Sequence, residues 1–385
     1  VTLYPLHLDV VGRRVLVVGA GPVAVRRVRA LLTAGAAVDV VAVEVSAELP
    51  DVPMQQRAFV ETDVDGAWLV LACTGVVDDQ IAAACEHRRV WCVRADDASH
   101  SSAWVPAVAR VDDVVVSVTA GGDPRRATAL RDAIALALDT GDLPLRRTRP
   151  GNGSVTLVGG GPGEPGLLTV RGRRLLAEAD VVVRDRLAPD IALPVDVEVI
   201  DVGKTPGGPS YDQRAIEQLL VDRARSGQRV VRLKGGDVHV FGRGMEEVAA
   251  CVDAGVPVEV VPGVSSAFAV PAWAGIPVTA RGVSQSVSVV SAHVPPGDPG
   301  STVDWDALAR LGGTIVLLMA VGRLEGVCTA LVDGGRDPKT PVAVIQDGTL
   351  SSQRVVISTL LDAARDAAEV SSPAVVVVGD VVGLR

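Results

Sequence analysis

The sequence predicts an α/β protein built from two wound halves joined by a linker. Three observations carry this reading. Short β-branched runs alternate with helical stretches along the chain, two of those runs empty into glycine turns (Gly19-Ala20-Gly21 and Gly159-Gly160-Gly161), and a segment poor in apolar residues separates the halves. A strand that ends in a glycine turn and is followed by a helix opens a doubly wound sheet. The 385 residues are enough for two or three domains, and 40 glycines with 24 prolines suit the many tight turns of such folds better than a helical bundle.

In order, Arg13–Val18 reads as the first strand and Val25–Leu32 as its helix; Val38–Val43 is a second strand, Ala67–Ala72 a third or fourth, and Val114–Val118 another. Their near-continuous apolar character is that of a parallel sheet buried on both faces. Ala127–Leu138 has helical spacing and ends near Gly141. Asp142–Gly153, with two prolines, two glycines and three arginines, reads as a linker. This gives domains at 1–141 and 154–385 with 142–153 between them. Strands in the second half are expected at Asp180–Val183, Arg229–Leu233, Val258–Val261, Thr314–Leu318, Val342–Ile345 and Ala374–Val378. Its length is too great for one sheet, so two α/β lobes with a cleft are expected.

Composition narrows the function. With 37 basic and 46 acidic residues the net charge is −9, which argues against a nucleic-acid groove but leaves room for a local basic pocket. No apolar run approaches the roughly 18 residues of a membrane span, and Val1–Pro5 lacks the form of a secretion signal. The five cysteines are scattered without a CxxC pair, as expected of buried thiols in a reducing cytoplasm.

Gly19-x-Gly21-x-x-Ala24 lies between strand and helix, where glycines let the main chain approach a pyrophosphate and the helix N-terminus supplies amide donors. Glu44 stands 20 residues beyond Ala24, placed to accept from a ribose 2′-hydroxyl and so to favour NAD over NADP. A glycine turn without a ligand is the competing reading. Asp96 and Asp97 follow the strand Val90–Val93, with Ser99, His100, Ser101 and Ser102 behind them. The pair sits either at a ligand edge or in a solvated turn, and His100 reads as an ordinary surface histidine.

Together with Leu3-Tyr4-Pro5-Leu6-x-Leu8, Ala72-Cys73-Thr74, Pro106 and Gly121-Gly122, these features resemble the precorrin-2 dehydrogenase/ferrochelatase domain of siroheme synthases. The resemblance implies NAD contacts at Gly19, Gly21, Pro22, Val23, Val43 and Glu44, and gives Asp96 a part in both dehydrogenation and chelation of Fe2+ as substrate. Departures are Val93 for the usual Asn, the missing Pro after the Asp-Ala pair, Thr119–Arg126 in place of a Ser/Pro-rich run, and a dimerisation and lid region reduced to one helix and the linker.

The second half carries an ordered series: Val158–Gly163 with Gly166–Thr169, Ala179–Leu187, Val202-Gly203-Lys204, Val231–Glu247, Val261–Ala267, Ala274–Arg281, Gly348-Thr349 with Gln353-Arg354, and Ser372-Pro373-Ala374. Over 154–385 this resembles uroporphyrinogen-III C-methyltransferase, a two-lobed tetrapyrrole methylase. Without the family, Gly159–Gly163 would be read as a second dinucleotide loop. The resemblance implies instead an S-adenosylmethionine cleft, with donor contacts at Pro162, Gly235, Gly236, Asp237, Val240, Ser265, Ser266, Met319 and Gly348. It makes Asp185 the proton acceptor and Lys204 the proton donor. For a substrate with eight carboxylates, Arg186, Arg232, Arg243 and Arg281 are the expected cationic lining. Small residues at 235–236 are expected to let a ligand approach the main chain. Val238, Ala280 and Leu318-Met319-Ala320 depart from the family pattern.

The implied activity is methylation of uroporphyrinogen III to precorrin-2, NAD-dependent oxidation to sirohydrochlorin, and iron insertion, by a cytoplasmic homodimer with no nucleic-acid or membrane partner. Two other readings stay open: a methyltransferase with a degenerate NAD-binding scaffold, and a redox-responsive NAD sensor that regulates a methylase.

Overall fold

The computed structural model describes residues 3–143, 146, 151–203 and 211–385. The chain divides into two compact units, Val1–Ala135 and Leu136–Arg385.

In the first unit, β1 (Arg14–Val18) leads through Gly19–Gly21 into α1 (Pro22–Thr33), then β2 (Ala37–Ala42), β3 (Met54–Gln56), β4 (Leu69–Ala72), α2 (Asp78–Arg88) and β5 (Trp91–Arg94). The five strands form a parallel sheet in the order β3-β2-β1-β4-β5. Alternate residues of β1 feed two cores. Val15 and Val17 pack with Val28 of α1, and Leu16 and Val18 with Ile81 and Cys85 of α2. That double burial is why β1 reads as an unbroken apolar run. The order in which the strands are laid down reverses between β1 and β4, and Gly19 lies at that point with φ +106. A side chain there would put its Cβ 2.6 Å from the Cys73 carbonyl oxygen.

The run Val114–Val118 does not join this sheet. It is β7 (Val114–Val118), paired antiparallel with β6 (Ala107–Val111) in a separate hairpin. The turn passes through Asp112 at φ +50, and Val114 and Val115 are exposed. An apolar β-branched run alone does not reveal which sheet takes it. The hairpin leads to α3 (Pro124–Asp139), where Asp123 Oδ1 accepts from the Arg125 and Arg126 amides.

The second unit holds two lobes. The first contains β8 (Ser154–Gly159), α4 (Val170–Glu178), β9 (Val181–Arg184), β10 (Glu198–Asp201), α5 (Gln213–Arg225), β11 (Arg229–Lys234), α6 (Gly244–Asp253) and β12 (Val258–Val261). Its sheet is parallel, in the order β10-β9-β11-β8-β12. Helix α7 (Ser266–Trp273) leads to the second lobe, with β13 (Val287–Ser291), α8 (Trp305–Arg310), β14 (Thr314–Leu318), α9 (Leu324–Asp333), β15 (Pro341–Gln346), β16 (Arg354–Thr359), α10 (Ala363–Asp366) and β17 (Ala374–Val378).

This second sheet, β13-β14-β17-β15-β16, is mixed: only β13 and β14 pair in parallel. The two-lobe expectation is therefore met with one wound lobe and one mixed lobe. β10, β13 and β16 were not read from sequence; β10 is short, with Glu198 and Asp201 at its ends, and β13 and β16 are only partly buried. Among the described residues no helix is long and apolar enough to cross a membrane.

Gly19→Ala combines a left-handed φ with a main-chain clash. It is expected to destabilise the first unit by at least about 2 kcal/mol, read as a lower unfolding midpoint.

Candidate active sites

All five strands of the first lobe end on one edge of their sheet, and the loops there pack main chain against main chain. Gly161 and Gly236 exchange backbone hydrogen bonds, and the Gly160 amide donates to the Lys234 carbonyl. A Cβ on Gly159 would lie 2.5 Å from Gly263 N, and one on Gly263 2.2 Å from Gly236 O. The Gly159–Gly163 turn is thus filled by its own neighbours, and α4 begins only at Val170. It is not a second dinucleotide loop.

The same test separates Gly235 from Gly236. A Cβ at Gly235 would sit 2.4 Å from the Leu187 carbonyl oxygen, so its smallness serves protein packing rather than the expected approach of a ligand. Gly236, at φ +66, has only Ser266 N near an added Cβ, at 3.8 Å, and faces open space. Asp237 fixes this loop. Its Oδ1 accepts from the His239 and Val240 amides and its Oδ2 from Gly263 N at 3.1 Å.

In the second lobe β13, β14 and β15 run the same way, which follows from β14 and β15 both being antiparallel to β17. Their ends carry Met319 and the Asp347-Gly348-Thr349 turn. The two lobes touch here: the Glu164 amide donates to Thr349 Oγ1 at 3.1 Å. Phe241 lines a cavity of about 290 Å³ with Val289, Val290, Ser291 and Val303. Phe241, Arg243, Met319, Asp347 and Thr349 all have φ between 49° and 75°. Such left-handed conformations cluster at ligand clefts because the surrounding structure holds them. Met319 is half exposed, not core, whereas Gly348 is wedged against Val270 of α7. Ser265 caps α7 by accepting from Ala267 N, and Pro162, Ser266 and Val240 line the same loops, Val240 with its side chain exposed.

Asp185, just past β9, is set by a buried charge network. Arg232 and Lys234 alternate on β11 and therefore share a face. The fully buried Glu247 of α6 accepts from Arg232 Nε at 3.0 Å and from Lys234 Nζ at 3.1 Å. Arg232 Nη2 donates to Asp185 Oδ1 at 2.6 Å, and Lys234 Nζ lies 3.6 Å from Asp185 Oδ2. Of the four, only Asp185 keeps a substantial exposed side-chain surface, 32%. Arg232 is therefore not part of the cleft lining expected from sequence: at 1% exposure it is the buried positioning partner of Asp185. Glu247 and Lys234 were missed, although two cations on one face of an otherwise apolar strand signal a buried carboxylate.

The other expected arginines lie at the surface. Arg243 grips Glu246 with two bonds, of 2.8 and 2.6 Å. Arg186 and Arg281 are exposed, with no carboxylate partner among the described residues. Lys204 lies outside the described residues. Gly203 before it packs against Arg186, with an added Cβ 2.8 Å from Arg186 N.

In the first unit, α1 starts with Pro22 at its first turn and has no side-chain cap. A Cβ on Gly21 would meet nothing within 4 Å. Val23, at the first turn, is exposed, whereas Ala24 is buried in the core beneath it. Val43 and Glu44 are exposed just past β2. Asp96 is held by Arg94, whose Nε donates to Oδ1 at 3.0 Å and Nη2 to Oδ2 at 2.6 Å, while Nη1 donates to Asp79. The Arg94 bonds pull the Asp96 pKa from 3.8 down to about 2. A depressed carboxyl contributes its stability above the ordinary pKa and loses it as pH falls towards the lower value, so Asp96 stays ionised throughout the neutral range. Among the described residues no group of three or more His, Cys, Asp or Glu is placed to hold a metal ion.

Glu247→Ala would leave Arg232 and Lys234 without their buried partner. The expected loss is about 3–5 kcal/mol in denaturant unfolding, against less than about 0.5 kcal/mol for exposed Arg281→Ala.

Residues 154–364 match the tetrapyrrole (corrin/porphyrin) methylases and residues 6–107 a putative NAD(P)-binding family. Siroheme synthase 2 of Cronobacter sakazakii is 33% identical, covering 99% of this chain and 97% of its own length. Siroheme synthase of Chromobacterium violaceum is 36% identical, covering 99% and 95%. The first of these alignments spans 447 positions against 385 residues, so at least 62 positions of the alignment have no counterpart here. Among solved structures, uroporphyrin III C-methyl transferase from Thermus thermophilus, also solved with S-adenyl homocysteine, is 41% identical over 60% of this chain and all of its own, with a TM-score of 0.53. A cobalt precorrin-4 methyltransferase is 28% identical over 59% of this chain and 95% of its own, also with a TM-score of 0.53. With a wound nucleotide-binding sheet in one unit, a methylase cleft in the other and relatives matched along nearly its whole length, the chain belongs to the siroheme synthase family.

Proposed function

We propose that residues 154–385 methylate uroporphyrinogen III twice to give precorrin-2, and that residues 1–141, joined by 142–153, oxidise it to sirohydrochlorin. The observation that carries this reading is that siroheme synthases align with 99% of the chain, so both halves are matched and not one. S-adenosylmethionine supplies a methyl group carried on a sulfonium, and NAD supplies a hydride acceptor.

The residues present fit both groups. Gly236 leaves the space beside its Cα open, and with Pro162, Val240, Ser265, Ser266, Met319 and Gly348 it would hold the methyl donor. The uncapped start of α1, with the open face of Gly21, would take the dinucleotide pyrophosphate. Glu44 would accept from a ribose hydroxyl. In the cleft Asp185, held in place by Arg232, accepts the proton released from the substituted ring carbon. Lys204 returns one. Arg186, Arg243 and Arg281 meet the carboxylates of the substrate, Arg243 by exchanging Glu246 for them. We extend the sequence no further than sirohydrochlorin, because the Arg94 bonds hold the Asp96 carboxyl down at about 2 and so leave it a weak base for the pyrrole protons that iron insertion removes. A cytoplasmic homodimer completes the reading; five free thiols, four of them buried, suit a reducing compartment.

Purified protein given uroporphyrinogen III and S-adenosylmethionine should develop the absorption of precorrin-2, which NAD+ then converts to that of sirohydrochlorin. A trimethylated product, or none, would overturn the reading; a precorrin-2 spectrum unmoved by NAD+ would select a methyltransferase alone. Asp185→Asn should bind S-adenosylhomocysteine normally in calorimetry yet lose turnover by at least about 100-fold. Gly21→Asp should cap α1 and raise stability by about 0.3 kcal/mol while weakening NAD+ binding more than tenfold. Unchanged NAD+ affinity would place the nucleotide elsewhere.

A further inference from the structure

The tip that follows β5 is pinned in place. Ser101 Oγ accepts from the Arg94 amide at 2.8 Å and Ser102 Oγ from the Cys92 amide at 2.7 Å. The returning segment therefore runs beside β5 and fixes residues 95–100 at the carboxyl edge of the sheet, where wound folds bind their ligands. In that tip Asp97 Oδ1 accepts from the amide and hydroxyl of Ser99, and Asp97 Oδ2 lies 2.6 Å from His100 Nδ1. A carboxylate partner assigns the ring proton to Nδ1 and leaves the lone pair on Nε2. The His100 side chain is 68% exposed.

The other titratable groups at this edge are committed. Asp96 has both oxygens on Arg94, and Asp79 shares the same guanidinium. Asp78 is buried and accepts from the amides of Thr74 and Gly75. Burial pushes the Cys73 thiol up to about 11. Glu44 stands past β2, on the other side of β1 from β5.

We propose that His100, oriented by Asp97, is the proton acceptor in the oxidation of the reduced tetrapyrrole, and that Asp96 serves as an anchored anion beside it. This rests on the reading that the first unit oxidises what the second makes. A ring C–H bond breaks with its electron pair and the hydride passes to the nicotinamide of NAD+, while a pyrrole N–H gives its proton to His100 Nε2. The ring loses two electrons and two hydrogens, NAD+ becomes NADH, and the exposed imidazolium releases its proton to water. The expected surface histidine thus gains a role that no spacing signalled.

His100→Asn keeps a donor for Asp97 but removes the base, and at so exposed a position it should fold with an unchanged melting curve. Its oxidation of precorrin-2 by NAD+ should fall by about 100-fold or more, and added imidazole should restore part of the rate to His100→Gly. Independently of turnover, 15N-histidine-labelled wild type should show five imidazole signals, of which the one missing in His100→Asn shifts when sirohydrochlorin is added without NAD+. A wild type that never oxidises precorrin-2 would sink this proposal together with the functional reading. An active wild type with an equally fast His100→Asn, or with an unmoved His100 signal, would sink this proposal alone.

Discussion

One negative charge is held at the mouth of the methylase cleft by two cations that are themselves out of water. Arg232 and Lys234 are buried on β11, and Glu247 neutralises only part of their charge. Asp185 supplies the rest, and it alone reaches solvent to a useful extent. Burying charges is costly unless each is paired and hydrogen-bonded. Here that condition fixes the direction in which Asp185 points. The turn after β9, the face of β11 and the start of α6 must all be in register for the four groups to meet. The network therefore ties the geometry of the cleft to the integrity of the first lobe.

Glycine does two separate jobs around that cleft. At Gly159, Gly235 and Gly263 the space for a Cβ is taken by other main chain, and these positions let three strand-end loops pack together. At Gly236, and in the other unit at Gly21, the space beside the Cα is empty, although the Gly236 amide and carbonyl are both bonded to Gly161. In a sequence the two classes look alike. They differ only in whether a neighbouring backbone or nothing stands opposite.

At the edge of the nucleotide-binding sheet, a single arginine alters what two adjacent aspartates can do. Arg94 takes both oxygens of Asp96 in a fork geometry suited to a carboxylate. Asp97, one residue on, turns instead to His100. Consecutive acids thus become an anchored anion and an orienting partner for an imidazole. The division follows from which side chain each carboxylate reaches.

The sequence by itself determined the two α/β halves, the continuously apolar strands at the centres of the three large sheets, the open glycine turn before α1 and the ordered motifs of the methylase half. These are local: periodicity, β-branched runs and turn residues act over a few positions. It did not determine that Val114–Val118 leaves the main sheet, because an apolar strand carries no mark of its partner. Nor did it determine that β15 and β17 run antiparallel, since burial on both faces is blind to direction. Whether Arg232 meets a substrate or Glu247, and whether Asp96 is free or clamped, depends on side chains 15 and 2 residues away being brought to 3.0 Å. Such distances exist only after the strands and helices have packed, so tertiary structure alone decided which charges face the ligand and which are spent inside the protein.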